Sequence, residues 1–457
     1  MERADVAVVG GGPAGASAAR AAAEQGAETV LFESGVPRAD REGVGADSTD
    51  AAGMLDYWVD ILGHDPASFP DGVVLQELDG ALMAGPNEEL YLEDTGISAS
   101  YDGFGFTFHR ARFDDWLRSE AQDAGADFRV GTAVADVDSR REGGDWVHEL
   151  ALRDGSALLA DALVLADGPQ RRVTMGALDQ FLPDERAASA VLSPPEVNHI
   201  AYQEHRRFPP ELFDPHSLKF WWGWMPGETA YPWIFPNDDG VARVGLTMPI
   251  GLDLEGVDRS AYRLLREDDD TVPDGATYLR RLLRELYPDH DLADFPLVED
   301  RGKSGGTETY PISSTYPVDS PTRANVAVAG GAMGTTSAFH EGGTHVAVAT
   351  GREAGRLAGG GDLSGYNDAW KDAVGDEIRR NVAMAEVVGE NDPDDWDRVI
   401  RVAREMSEAA SDAGRIISRK SARSAAGGLS LYSSYRRAKF RNRGANIVQL
   451  AASEYEY

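Results

Sequence analysis

The chain has 457 residues, 42% of them hydrophobic, enough for two or three packed domains around a sizeable interior. Asp and Glu number 77 against 44 Lys and Arg, a formal charge of -33 that repels nucleic-acid phosphates and excludes nucleic acid as an expected partner. There is no cysteine, which rules out disulfides, thiolate nucleophiles, Cys-ligated zinc and a resident iron–sulfur cluster, and no metal site is expected.

Residues 5–9 are a short apolar run that stops at Gly10, Gly11 and Gly12. An alanine-rich stretch with helical spacing follows to Gln25, Gly26 ends it, and residues 28–32 form a second apolar run. This is strand, glycine-rich turn, helix, strand: a βαβ unit. Apolar runs at 162–166 and 325–329, each ending in a glycine-containing turn, are predicted as further strands of the same buried sheet.

Residues 49 to about 100 and 178 to about 310 are rich in proline and aromatics, with alternating stretches that predict antiparallel strands. From Leu363 the spacing turns helical, first through Tyr366, Trp370 and Ile378, then through Trp396, Ile400 and Met406. The expected fold class is α/β. A Rossmann-like dinucleotide-binding domain covers 1–48, 100–177 and 311–362. It is interrupted by an antiparallel-sheet (α+β) substrate domain over 49–99 and 178–310, and a helical region with a basic tail covers 363–457.

Only five basic residues are lysines: Lys219, Lys303, Lys371, Lys420 and Lys439. So acidic a chain with so little lysine fits a high-salt cytoplasm, where ions screen self-repulsion; a GC-rich genome would produce the same bias. From Arg401 onward basic residues exceed acidic ones by six, and Arg436, Arg437, Lys439, Arg441 and Arg443 stand among Leu431, Tyr432, Tyr435 and Phe440. Such a segment suits anionic lipid headgroups, at about 1 kcal/mol per basic residue, or an ion-pairing strap over the acidic body. No charged leader precedes an apolar run, and no run reaches the roughly 18 residues of a membrane span. The expectation is a cytoplasmic protein that touches a membrane, if at all, from the cytoplasmic face.

The strongest local signal is Gly10-Gly11-Gly12-Pro13-Ala14-Gly15, a G-x-G-x-x-G in strand–helix context. Gly10 allows the tight turn, Gly12 lets backbone approach a pyrophosphate, and Gly15 lets helix and strand pack closely. The diphosphate then sits on the positive end of the helix. Glu33, at the end of the second strand, is placed to accept hydrogen bonds from a ribose.

This arrangement serves NAD and FAD alike, and three later features favour FAD. His109-Arg110-Ala111-Arg112 puts Arg110 at a helix start, as in flavoproteins of the glutathione-reductase class. Asp167-Gly168 follows a buried strand. Gly330-Gly331-Ala332-Met333-Gly334 and then Glu341-Gly342-Gly343-Thr344 open an alanine-rich helix, whose first amides can face the electron-rich edge of a flavin.

Tyr231-Pro232-Trp233-Ile234-Phe235-Pro236 is followed, eight residues later, by Gly245-Leu246-Thr247. Here the sequence resembles the FAD-dependent geranylgeranyl reductases, which carry Y-x-W-x-F-P and then G-x-G. The hexapeptide matches completely; the second Gly of G-x-G is Thr247. With the FAD elements the resemblance spans residues 5 to about 355. Two other departures suggest a divergent member, which the acidic, lysine-poor composition would make haloarchaeal: Gly331 stands where the family has an Asp that holds the ribityl chain, and Gly43-Val44-Gly45-Ala46 lacks a cysteine common near the flavin.

The resemblance implies FAD, with Val134 joining Gly10, Gly12, Pro13, Ala14, Gly15 and Glu33 as cofactor contacts, together with Arg110, Asp167, Gly168, Gly331, Gly342 and Gly343. It implies saturation of isoprenoid double bonds, in geranylgeranyl membrane lipids or a prenyl quinone, by hydride from flavin N5 plus a proton. Tyr231, Trp233 and Phe235 alternate, share a face and are expected to meet the substrate rather than merely line a sheet. Phe220, Trp221, Trp222 and Trp224 fit either role. His340 is the candidate catalytic residue; it and Glu341 stand beside the expected flavin loop, and either could tune the flavin or deliver a proton.

No second nucleotide fingerprint follows, so electrons are expected from a ferredoxin, a reduced deazaflavin or transiently bound NAD(P)H. Three other readings share these motifs: an electron-transfer-flavoprotein:quinone oxidoreductase-like dehydrogenase, an aromatic-ring flavin monooxygenase, and a non-catalytic prenyl-binding protein. A flavin halogenase fits less well, because it needs a lysine in the N-terminal region and none precedes Lys219.

Overall fold

The computed structural model describes residues 1–36, 53–192, 197–313, 316–411, 433–443 and 447–457; residues 43–46, Leu431 and Tyr432 lie outside them. The chain opens with β1 (Glu2–Val9), α1 (Pro13–Glu24) and β2 (Thr29–Phe32), then β3 (Gly53–Leu55), α2 (Asp56–Leu62) and β4 (Val74–Leu78). Next come β5 (Gly80–Ala84), β6 (Glu89–Leu92), β7 (Gly105–Phe108), α3 (Arg110–Asp123), β8 (Asp127–Arg129), β9 (Val134–Glu142), β10 (Asp145–Leu152) and β11 (Ala157–Leu165). The middle of the chain holds α4 (Thr174–Asp179), α5 (Ala188–Val191), β12 (His199–Arg207), β13 (Ser217–Trp221), β14 (Tyr231–Pro236), β15 (Val241–Pro249) and α6 (Gly275–Leu286). It closes with β16 (Thr307–Ile312), β17 (Val326–Val328), α7 (Thr344–Gly359), α8 (Tyr366–Val388) and α9 (Pro393–Ser411).

The predicted apolar runs meet in one sheet, ordered β8-β2-β1-β11-β10-β9 with β17 also on β11. β1, β2, β8, β11 and β17 are mutually parallel, and Val9 pairs with Leu165, which pairs with Val328. The three strands therefore stop at one level. Gly10, Ala166-Asp167-Gly168 and the Gly330–Gly334 turn all emerge at the carboxyl edge, where open α/β sheets bind ligands.

Two helices run back from that edge in contact. An added Cβ at Gly351 would lie 2.0 Å from the Ala14 carbonyl oxygen, and at Gly355 1.9 Å from that of Ala18. The small residues of α1 and α7 thus let the two parallel backbones touch, with the first two turns of α7 reaching beyond the start of α1.

The second sheet, β16-β12-β15-β14-β13-β5-β6, is antiparallel except for the β13–β5 pair. Its strands come from the two segments predicted to be antiparallel. Ile234 faces α6, among Leu279, Leu282 and Leu283, while Tyr231, Trp233 and Phe235 face the first sheet's carboxyl edge. β3-β7-β4 make a small third sheet.

Beyond residue 363 most of the described residues are helical. Tyr366 and Trp370 are fully buried, whereas Met406, expected on the apolar stripe, is 50% exposed because α9 has no neighbour on that side among the described residues. Residues 447–457 pack onto the first domain's core: Leu450 makes an isolated bridge to Val318, and the Tyr455 hydroxyl donates to the Asp319 carbonyl at 2.6 Å. Among the described residues, no helix is long and apolar enough to cross a membrane.

Candidate functional site

A cavity of about 840 Å³ lies between the two sheets. Of the residues singled out in sequence, Gly12, Pro13, Ala14, Arg110, Asp167, Gly168, Gly331, Gly342 and Gly343 line one side, and Tyr231, Trp233, Phe235 and His340 the other. Gly10, Gly15, Glu33 and Val134 do not line it.

The glycine side is a cradle built by excluding side chains. A Cβ at Gly10 would stand 2.3 Å from the Ala166 carbonyl oxygen, and one at Gly15 1.8 Å from that of Gly10. At Gly12 nothing lies within 4 Å, and its φ of -73° suits any residue. The fold therefore does not need glycine there; only a ligand pressed against the backbone does. Neither α1 nor α7 has a side-chain cap, so both present unpaired N–H groups to the cavity. These features fit FAD.

Glu33 is fixed at the far end of the cradle, where its carboxylate accepts from the Gly11 amide at 2.6 Å and the Gly35 amide at 2.5 Å. Thr132 N–H donates to the Glu33 carbonyl at 2.8 Å, which brings the start of β9 and Val134 alongside. Arg110 grips Asp114 through two 2.8 Å bonds and reaches the Thr344 hydroxyl at 3.3 Å, tying α3 to the start of α7. The Asp167 carboxylate is turned onto its own chain, accepting from the amides of Val173 and Thr174 and the Thr174 hydroxyl. Only the rest of that residue faces a ligand. At Gly331 a Cβ would come 3.2 Å from Pro169, so the proline takes up space beside the position where relatives of the resembled family carry Asp.

The opposite wall is aromatic. On β14, alternation sends Tyr231, Trp233 and Phe235 into the cavity, and each meets its partner on β15: Tyr231 opposite Thr247, Trp233 opposite Gly245. A Cβ at Gly245 would lie 2.4 Å from the Trp233 indole, which explains the first glycine of G-x-G. The 220–224 cluster is divided. Phe220 and Trp222 line the cavity, with Trp222 stacked on Trp396 at 5.6 Å; Trp221 and Trp224 pack into the core under α6. Leu55, Leu92, Ile97, Phe104 and Leu218 extend the apolar lining.

The two sides are joined at residues 340–345. The Tyr231 hydroxyl donates to the His340 carbonyl at 2.8 Å. His340 Nδ1 accepts from the Gly342 amide at 3.1 Å, so its proton sits on Nε2, 3.9 Å from Glu377 Oε1. His340 lines the cavity, and its Nε2 has no hydrogen-bond partner among the described residues.

Two buried carboxyls flank this segment. Glu377 on α8 accepts from Trp58 Nε1 at 3.1 Å, Asn381 Nδ2 at 3.1 Å and the Arg380 guanidinium at 2.8 Å, with His345 Nε2 at 3.6 Å. Burial pushes its pKa up, but the nearby imidazoles of His340 and His345 outweigh that and hold it below the ordinary range. The Trp58 ring stacks on His345 at 4.4 Å. Glu341 is the opposite case: burial pushes it up to about 8, against hydrogen bonds from Thr247 and Thr229.

Glu377 was missed in sequence although it left a trace. Trp370, Val374, Glu377 and Asn381 share one face of α8, so two polar residues occupy an otherwise apolar stripe. Arg380, Met384 and Tyr435, all cavity-lining, carried no comparable signal.

Residues 70–357 match the family described as FAD dependent oxidoreductase, and residues 5–41 match a second family of the same description. A digeranylgeranylglycerophospholipid reductase from Methanopyrus kandleri is 26% identical over 411 residues, covering 84% of this chain and 87% of the relative. Among solved structures, a geranylgeranyl bacteriochlorophyll reductase-like protein from Thermoplasma acidophilum aligns with a TM-score of 0.66 at 20% identity, over 96% of this chain and 98% of that one. The myxobacterial chondrochloren halogenase CndH aligns at 0.55 and 18% identity, over 99% and 100%. At these identities the structures establish a shared fold.

Proposed function

Because the chain belongs to the FAD dependent oxidoreductase family, we propose that it reduces isolated double bonds in the geranylgeranyl chains of a membrane lipid. The observation that carries this reading is the continuity of the cavity, which joins the glycine cradle to a long aromatic and aliphatic wall. Bound FAD, once reduced by an external electron donor, would supply hydride at N5. The protein's own part is to hold an apolar tail against that position and to keep water out, and the rings of Phe220, Trp222, Tyr231, Trp233 and Phe235 offer the surface for both. In this reading residues 1–48, 100–177 and 311–362 hold the cofactor and 49–99 with 178–310 the substrate.

A charged end on the lipid is favoured over a neutral quinone by a second observation. Arg380 and Tyr435 line the cavity. Beside them, Lys439 has its pKa lowered by burial and then by the charges of Arg380, Arg379, Arg436 and Arg443. Cations gathered against their own repulsion, on a chain of charge -33, suit an anionic headgroup. The same residues would let the basic segment rest on an anionic membrane surface.

Titration of the FAD-loaded protein tests the reading through the flavin absorbance. A geranylgeranyl phospholipid should perturb the spectrum saturably, and Arg436→Glu with Lys439→Glu should weaken that binding about tenfold, a little over 1 kcal/mol. No response to the lipid, with a response to simple phenols, would favour a ring hydroxylase instead.

A further inference from the structure

We propose, resting on the reading above, that Glu341 is the acid that delivers the proton to the substrate double bond. Its carboxyl stands on the aromatic wall, where the Thr247 hydroxyl donates to Oε2. Thr247 replaces the second glycine of G-x-G, so this contact belongs to this chain and not to the resembled pattern. Oε1 has no hydrogen-bond partner among the described residues and lies 3.5 Å from His199 Nε2, which itself faces the Glu228 carbonyl at 3.3 Å. With Oε2 occupied as an acceptor, Oε1 is the oxygen free to carry a proton.

The backbone is strained to hold this arrangement. Glu341 has φ of 57° and Thr229, which also bonds the carboxyl, has φ of 52°. Left-handed backbone at a β-branched residue is a true outlier, and such strain gathers at functional sites.

The titratable groups around the carboxyl are His199 on β12, Tyr231 on β14, Tyr310 on β16 and the neighbouring His340. Burial raises the pKa of the carboxyl against the two threonine hydroxyls, and its charge in turn raises those of Tyr231 and Tyr310. At neutral pH the group is therefore a neutral acid buried in the cavity lining, whereas Glu377 is a carboxylate.

In the proposed step the Glu341 O–H bond breaks and the alkene π electrons form a C–H bond to that proton. The adjoining carbon takes the hydride supplied by the reduced cofactor, and the carboxylate regains a proton from water between turnovers. The faces of Tyr231 and Trp233 favour positive charge developing on the carbon beside them.

The test begins without substrate. Infrared difference spectra across the pH range about 8 should show a protonated carboxyl band that disappears as pH rises and is absent in Glu341→Gln. In anaerobic single turnover of the FAD-loaded protein with a geranylgeranyl lipid, Glu341→Gln should slow product formation about 100-fold or more with FAD binding intact. Glu341→Asn, which tolerates positive φ, should do the same if the Gln variant folds poorly. Thr247→Val removes a bond that favours the carboxylate, so the alkaline fall in rate should move to higher pH. A Glu341→Gln variant as fast as wild type, or an infrared band unchanged by the substitution, would overturn the proposal. Wild-type protein that shows the band but never reduces the lipid would instead overturn the reading on which it rests.

Discussion

The two sides of the cavity are made of opposite materials. The cradle works by absence: glycines at 10, 12 and 15, and at 351 and 355, remove side chains so that backbone can meet backbone or ligand. The wall works by presence, with aromatic rings alternating on β14 and spilling from β13. Each side also buries one carboxyl, and the environments push these apart, which is how one fold separates acid from base. On the cradle side Glu377 is held ionised by N–H donors; on the wall side Glu341 is hydrogen-bonded by hydroxyls and burial keeps it neutral. The comparison teaches that substitutions on the two sides should fail differently.

The largest effect is expected at Glu377. Glu377→Ala leaves Trp58, Asn381 and Arg380 without their acceptor and should cost about 3 kcal/mol at neutral pH, measured by urea unfolding. Its folded pKa lies below the unfolded value, so this stability is present above the ordinary carboxylate range and is lost as pH falls through the folded value. The gap between wild type and variant should therefore narrow in acid. A gap that widened in acid would mean Glu377 is neutral and the contrast with Glu341 is false.

Next comes Gly12→Val, where the protein offers open space. FAD should bind on the order of 100-fold more weakly, as overpacking of up to about 3 kcal/mol allows, while unfolding of the FAD-free protein stays unchanged. Loss of fold would show Gly12 to be structural, as Gly10 and Gly15 are.

Trp233→Ala should do the reverse, keeping FAD while lowering turnover about tenfold, the loss of a positioned aromatic contact worth roughly 1 kcal/mol. Wild-type turnover would make Trp233 scaffold. The smallest effect is expected from Gly331→Asp: with Pro169 only 3.2 Å from the new Cβ, FAD affinity should change by less than about 1 kcal/mol, read by flavin fluorescence.

The cradle was legible because its signals are local. Apolar runs, a glycine turn and a terminal acid lie within the first 33 residues, and each residue's reason can be read from its neighbours. The wall was half legible: period-two alternation puts Tyr231, Trp233 and Phe235 on one face, but nothing local separates Trp222 in the cavity from Trp221 in the core. The carboxyl environments were not legible. Trp58 and Glu377 are 319 positions apart and Thr247 and Glu341 are 94 apart, so ionisation depends on contacts that only the folded chain makes. His340 was drawn in by its position beside the loop, and the direction of its N–H was settled by the Gly342 amide.

The central claim is that a prenyl tail reaches the flavin and is reduced there. The FAD-loaded protein, reduced anaerobically, is mixed in concentrated salt with a geranylgeranyl phospholipid while flavin absorbance and product mass are followed. The account predicts reoxidation without oxygen and a gain of two hydrogens for each bond reduced. Flavin that stays reduced until air is admitted, with the lipid recovered unchanged, would contradict it.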